Sequence, residues 1–174
     1  METSIKSIFA KKAAGFRLPR YAELPSVGLY LEQTTKYVNG ILAPLGIAEL
    51  TPSMISNYVK KGLIDSPVKK LYYAEHIAYI LFVGMGKSVV SIDDISYIYS
   101  CQKNIYPCDV AYDYFCIELE NMLAYTAGLK DTLENVGTTN TELKSMLRSV
   151  IICLSNLLYV ECSLKEFRKR DSGE

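Results

Sequence analysis

The chain has no tryptophan, one histidine (His76) and no two cysteines three positions apart. Its five cysteines, Cys101, Cys108, Cys116, Cys153 and Cys162, are odd in number and irregularly spaced. That pattern fits neither a zinc site nor a disulfide framework, so no metal is expected and the cysteines read as small buried hydrophobes. Net charge is also missing, since 19 Lys and Arg balance 19 Asp and Glu. The apolar runs at 77–86 and 150–160 are too short or too interrupted to span a bilayer, and charge is scattered through the first twelve residues. A cytoplasmic protein with no membrane partner is expected.

Catalytic patterns are absent as well. Gly84, Gly86, Lys87 and Ser88 approach a phosphate-binding loop, but its first glycine would fall at Leu81 and the segment follows a helix. Asp93 and Asp94 open a helix, where capping accounts for them, and His76 has no acidic or cysteine partner in sequence and reads as a surface residue beside a turn. No enzyme, no catalytic residue and no cofactor is expected.

What is present is a charge asymmetry. Residues 1–73 carry +5 and residues 74–174 carry −5. An anionic partner is therefore expected for the first part only. The most informative stretch within it is 50–73, LTPSMISNYVKKGLIDSPVKKLYY. Thr51-Pro52 is a helix start and Gly62 a helix stop, with Lys60 and Lys61 at the negative end of the helix dipole. Ile55, Tyr58 and Val59 share an apolar face. Opposite them, Ser53, Ser56, Asn57, Lys60 and Lys61 form a small, hydrogen-bonding and cationic face suited to a nucleic-acid groove, with a plain solvated face as the alternative. After Gly62, the turn-prone DSPVKK between short β-prone segments predicts a small hairpin whose tip carries Lys69 and Lys70.

The rest of the chain reads as helices. A basic arm is expected over 1–26, where Ile5, Ile8 and Phe9 can share a helical face and Pro19 and Pro25 hold the chain extended. Helices are expected over 27–42, 74–87 and 92–101, the last capped by Ser91 with Asp94. Two long helices then cover 108–135 and 140–170, with Thr139 and Glu142 as a capping box for the second. In that last helix Leu143, Met146, Val150, Cys153, Leu157, Val160, Leu164 and Phe167 recur at alternating three- and four-residue spacing, a coiled-coil seam widened by Leu147, Ile151, Leu154 and Leu158. Of the 14 tyrosines, Tyr97, Tyr99, Tyr106, Tyr112, Tyr114 and Tyr125 cluster near the junction at 104. They suit either an effector pocket or ordinary packing.

The order of helix, helix ending in Gly62-Leu63-Ile64, turn with Pro67 and Tyr72-Tyr73, apolar helix and VVSIDDI resembles the DNA-binding domain of MerR-type regulators. The runs LPRYAELP, LTPSMISNYVKKGLI, KKLYYAEHIAYILF and VVSIDDI more closely resemble the bacterial uncharacterised-domain family numbered 1836. The resemblance spans residues 18–100. It implies a mainly α fold: a MerR-like winged helix-turn-helix over 27–103 with a β-hairpin wing, then a helical hairpin over 104–174 for dimerisation or effector binding. It also implies contacts to double-stranded DNA from Ser53, Ser56, Asn57, Lys60, Lys69 and Lys70, in a homodimer formed by the C-terminal helices. MerR proteins usually carry arginine and tyrosine where Ser56 and Asn57 stand. The expected function is DNA-binding transcriptional regulation, the alternative a protein-interaction module on the same scaffold.

Overall fold

A computed structural model describes residues 4–137 and 141–172. Among the described residues are seven α-helices: α1 (Ile5–Gly15), α2 (Leu31–Leu42), α3 (Pro52–Lys60), α4 (Ala74–Gly86), α5 (Ile92–Ile105), α6 (Cys108–Thr126) and α7 (Glu142–Ser172). They fall into two compact units, one of Leu18–Cys116 and one joining Met1–Arg17 to Ile117–Glu174. These limits differ from the 26/27 and 103/104 divisions read from sequence.

In the Leu18–Cys116 unit, α4 is the hub. It is apolar all round and correspondingly buried, with Ile77, Ile80, Leu81 and Met85 fully enclosed. Helix α2 packs on it and also meets α3. Gly84 permits the close approach, since a Cβ there would lie 3.1 Å from side-chain carbons of both Leu42 and Leu50. Two buried threonines of α2, Thr34 and Thr35, satisfy their hydroxyls by donating to the carbonyls of Tyr30 and Leu31 one turn back. Ser91 caps α5 by accepting from the Asp94 amide at 3.1 Å while its hydroxyl donates to the Asp94 carboxylate.

The second unit joins α1 to α7 and to the end of α6. The expected arm is therefore a helix over residues 5–15: Ser4 accepts from the Ser7 amide to start it, and buried Phe9 meets Tyr159 of α7 edge-on at 5.3 Å. The core includes Leu119, Met122 and Leu123 of α6 and Ile151, Leu154, Leu158 and Cys162 of α7. Thr139, half of the expected capping box, lies outside the described residues; Thr141 accepts from the Lys144 amide at the start of α7. On α7 the residues that widen the seam include the buried ones, Ile151, Leu154 and Leu158, whereas much of the seam itself is open. Met146, Val160, Leu164 and Phe167 are 40–51% exposed, while the buried stripe is Ile151, Leu154, Ser155, Leu158 and Cys162. Helix α7 is also long and apolar enough, by length and composition, to cross a membrane, which the interrupted apolar runs did not suggest.

One buried charge stands out in this unit. Glu118 is fully enclosed, and its Oε1 lies 2.8 Å from Arg148 Nε but off the N–H direction, so the contact is an ion pair without an aligned hydrogen bond. Burial pushes its carboxyl above the usual range, with Arg148 and Lys144 pulling the other way. Arg148 also donates to Asn135 Oδ1 and to the Glu134 carbonyl, and Asn121 donates to that same carbonyl, so the segment after α6 is fastened to both helices.

The expected β-hairpin wing is not there: among the described residues no strand forms, only two isolated bridges, Val68 with Leu71 and Leu29 with Tyr72. The reason is His76. In an antiparallel ladder begun by Val68 and Leu71, the next hydrogen-bonded rung would join Ser66 to Tyr73. His76 occupies that rung: its Nδ1 accepts from the Tyr73 amide at 3.0 Å, leaving Nε2 as the donor to the Ser66 carbonyl at 3.3 Å.

Candidate nucleic-acid interface

Helix α3 is set by its ends. Thr51 accepts from the Met54 amide at 3.2 Å and Pro52 occupies the first turn. At the other end Gly62 adopts φ 72°, its amide bonds the Val59 carbonyl at 3.0 Å, and the Leu63 amide bonds the Tyr58 carbonyl at 3.0 Å. These two bonds form a Schellman stop, sealed by buried Leu63. Asn39 of α2 fixes where α3 begins. Its side-chain amide donates to the Leu50 carbonyl at 2.8 Å and accepts from the Leu50 amide at 2.9 Å, one residue before the cap.

So held, α3 buries Ile55 and Tyr58 and exposes Ser53, Asn57, Lys60 and Lys61, with Ser56 half-buried at the margin. Helical spacing alone had placed these residues together on one side. The turn Val68–Leu71 closes with reciprocal backbone bonds of 3.1 and 2.9 Å, and its two central residues, Lys69 and Lys70, are both left-handed at φ 51° and 67°. These are the only described non-glycine residues with positive φ. A two-residue turn of this kind favours asparagine or glycine at both places. Both lysines are exposed.

Three contacts that sequence reasoning missed hold this turn in place. The first is the His76 rung; His76 is buried, against the expectation of a surface histidine. The second is Lys103, whose ammonium lies 2.6 Å from Asp65 Oδ2 and 3.2 Å from the Tyr99 hydroxyl. The hydrogen bond from Lys103 holds the Asp65 carboxyl below the ordinary carboxylate range, and the same bond raises the Lys103 ammonium. The third is the reciprocal Leu29–Tyr72 pairing at 2.9 and 2.8 Å, which lays residues 27–30 beside the turn. A trace of the first was in the sequence, because a polar ring three residues after Tyr73 is a capping position for α4. The other two join residues 38 and 43 positions apart and have no local signature.

The pairing at Leu29 also brings apolar surface. Val27, Tyr30, Val68 and Tyr73 are exposed in and around the turn. The six candidate pocket tyrosines do not share one environment. Tyr99 is buried edge-on against Tyr79 at 4.3 Å and Tyr112 meets Tyr21, whereas Tyr97 is exposed and Tyr106 and Tyr114 are half-buried. Tyr125 is exposed and belongs to the other unit. Of the cysteines, Cys116 and Cys162 are buried, Cys101 and Cys108 half-buried and Cys153 exposed, so Cys153 departs from the expected burial. Burial pushes the Cys108 thiol up to about 12, which keeps it protonated and unreactive at neutral pH.

Comparison with known proteins finds one family. No curated protein and no solved structure matches the chain. A family model described as Domain of unknown function (DUF1836) matches residues 19–115, which is almost the whole of the Leu18–Cys116 unit and includes α3, the lysine turn and the His76 rung. The chain belongs to the DUF1836 family.

Proposed function

We propose that the chain is a bacterial DNA-binding transcriptional regulator of the MerR-like helix-turn-helix type, binding duplex DNA as a dimer in the cytoplasm. Helices α2 and α3 are the helix-turn-helix pair. Ser53, Ser56 and Asn57 face the groove, and Lys60, Lys61, Lys69 and Lys70 contact phosphates. The observation that carries this reading is the pair of left-handed lysines. A non-glycine residue in that conformation costs about 1 kcal/mol or more, and lysine at both central places of the turn leaves two cations at its tip where glycine would relax the backbone. A phosphate backbone is the partner that two adjacent exposed cations and a cationic helix end suit best.

The test is binding of the chain to random and selected duplex DNA at two salt concentrations. Replacing Lys60 and Lys69 by alanine is expected to weaken binding about 10-fold or more and to reduce the salt slope by about 1 to 2. An unchanged affinity and slope removes this surface from the account.

A second reading rests on a different observation. Val27, Tyr30, Val68 and Tyr73 put exposed apolar and aromatic surface beside the lysines, which suits a protein partner with an acidic rim. On that reading Tyr30→Ser abolishes partner binding, whereas duplex DNA does not compete.

A further inference from the structure

The lysine turn hangs on a group that can change its charge. His76 is the chain's one histidine, the third residue of α4 and buried. Its two ring nitrogens have opposite roles: Nδ1 accepts from the Tyr73 amide at 3.0 Å, and Nε2 donates to the Ser66 carbonyl at 3.3 Å. Only the neutral imidazole carrying its proton on Nε2 can do both. A second proton goes to Nδ1, which then presents an N–H to the Tyr73 N–H. The bond to Tyr73 is lost, and donor faces donor.

The surroundings do not favour the cation. It stands in the first turn of α4, at the positive end of the helix dipole, and the turn that it closes carries Lys69 and Lys70. Two carboxylates belong to the neighbourhood, Asp65 on the turn and Glu75 on α4. Both ring nitrogens are taken by backbone groups, so neither carboxylate holds the ring. Asp65 already shares its charge with Lys103 of α5 at 2.6 Å, and that ammonium also meets the Tyr99 hydroxyl at 3.2 Å. The rings of Tyr72 and Tyr73 flank the imidazole, with centroids 5.7 and 6.4 Å away, and the Tyr79 hydroxyl donates to Gln102.

We propose that His76 is a proton-operated latch on the lysine turn: the neutral ring holds residues 65–73 closed, and the imidazolium releases them. His76 is then a positioning residue, acting through Lys69 and Lys70. The Leu29–Tyr72 pairing and the Lys103–Asp65 bond do not involve the ring, so the turn loosens at its inner rung while the unit stays folded. The consequence for DNA rests on the functional reading above and adds regulation to it. Mild acid, in the range of about pH 5 to 8 where histidines ordinarily titrate, weakens the grip of the turn on phosphates.

A single histidine lets the latch be read directly. Two-bond proton–nitrogen correlation spectra of the full chain, labelled with nitrogen-15, should show a ring protonated on Nε2 at about pH 7.5. As pH falls, one titration step should move the ring signals and the backbone amides of residues 65–73 together. Across that step, at fixed ionic strength, affinity for duplex DNA should fall about 3- to 10-fold and the salt slope by about 1 to 2, as when two lysine contacts are lost. An imidazolium that merely joined the phosphate contacts would do the reverse. His76→Gln keeps a carbonyl oxygen to cap the Tyr73 amide but cannot titrate in this range. It should bind like the parent chain at about pH 7.5 and lose the acid-dependent fall, while every other titrating group is unchanged.

A ring protonated on Nδ1 near neutral pH, a ring that stays neutral down to about pH 5, or a ring that titrates while the amides of 65–73 do not move overturns the proposal. So does an affinity that rises as the ring charges, or a fall that survives His76→Gln. The two readings fail separately. A chain that binds no duplex at any pH refutes the DNA surface, and the coupling between the ring and the amides of the turn still decides the latch.

Discussion

The two units spend their apolar residues differently. In the Leu18–Cys116 unit the large aliphatic side chains of α4 are enclosed, and the candidate DNA face is made of hydrogen-bonding and cationic groups on α3 and on a turn fastened by His76 and Lys103. In the unit of α1 and α7, Met146, Val160, Leu164 and Phe167 remain exposed although they share one helix face, while the enclosed stripe includes a serine and a cysteine. Apolar periodicity thus marks the core in α4, whereas on α7 it marks two faces, one buried and one open. A unit that closes its core on itself is free to devote its surface to a polar ligand, and a unit that leaves a seam open is built to meet another apolar face.

The sharpest way to test that contrast is to truncate one leucine in each unit. Leu81→Ala in α4 should cost about 2–5 kcal/mol in urea unfolding, because the enclosed site cannot refill. Leu164→Ala should change the stability of the monomer by less than about 0.5 kcal/mol, measured below the dissociation concentration. Equal losses at the two sites would erase the distinction.

The next effect in size concerns the turn. His76→Ala leaves the Ser66 carbonyl and the Tyr73 amide without their ring partner, so a loss of about 1–3 kcal/mol and faster amide exchange over residues 65–73 are expected. Replacing Lys69 and Lys70 together by glycine should act in opposite directions on two measurements. Stability should rise by about 0.5–1 kcal/mol per site as the left-handed strain is relieved. DNA affinity should fall.

The smallest effect is one of pH. Asp65 has a folded pKa depressed by its bond to Lys103, so it contributes stability that is present above the ordinary aspartate value near 3.8 and is lost as pH falls through the lower folded value. The pair is about half exposed, so the contribution is at most about 1 kcal/mol. Asp65→Asn should flatten the acid limb of the stability curve below pH 4. Glu118 has the opposite sign. Its raised pKa means that stability falls as pH rises from 4.5 toward the folded value, so Glu118→Gln should remove that decline while leaving Arg148 its two other acceptors.

Much of the Leu18–Cys116 unit is legible in the sequence because its signals are local. Thr51-Pro52 and Gly62 delimit α3 by backbone chemistry alone, and the Ser91–Asp94 cap and the all-round apolar character of α4 depend on neighbours within a few positions. The hairpin was misread because β-prone residues and a tight turn say nothing about a ring from the next helix taking the second rung. The seam was visible as a periodicity, but a period identifies which residues share a face and not whether that face finds a partner. Lys103 with Asp65 and Asn39 with Leu50 joined positions too far apart for any local pattern to pair them.

The account stands most directly on the affinity of the intact chain for duplex DNA as a function of salt. Fluorescence anisotropy on a selected duplex should give a log–log slope steepened by each phosphate-contacting lysine, and alanine at Lys60 and Lys69 should flatten it by about 1 to 2 while weakening binding about 10-fold or more. No binding above the level of an unrelated neutral protein at 50 mM salt, or a slope indifferent to those two lysines, would contradict the assignment of α3 and its turn as a DNA-binding surface.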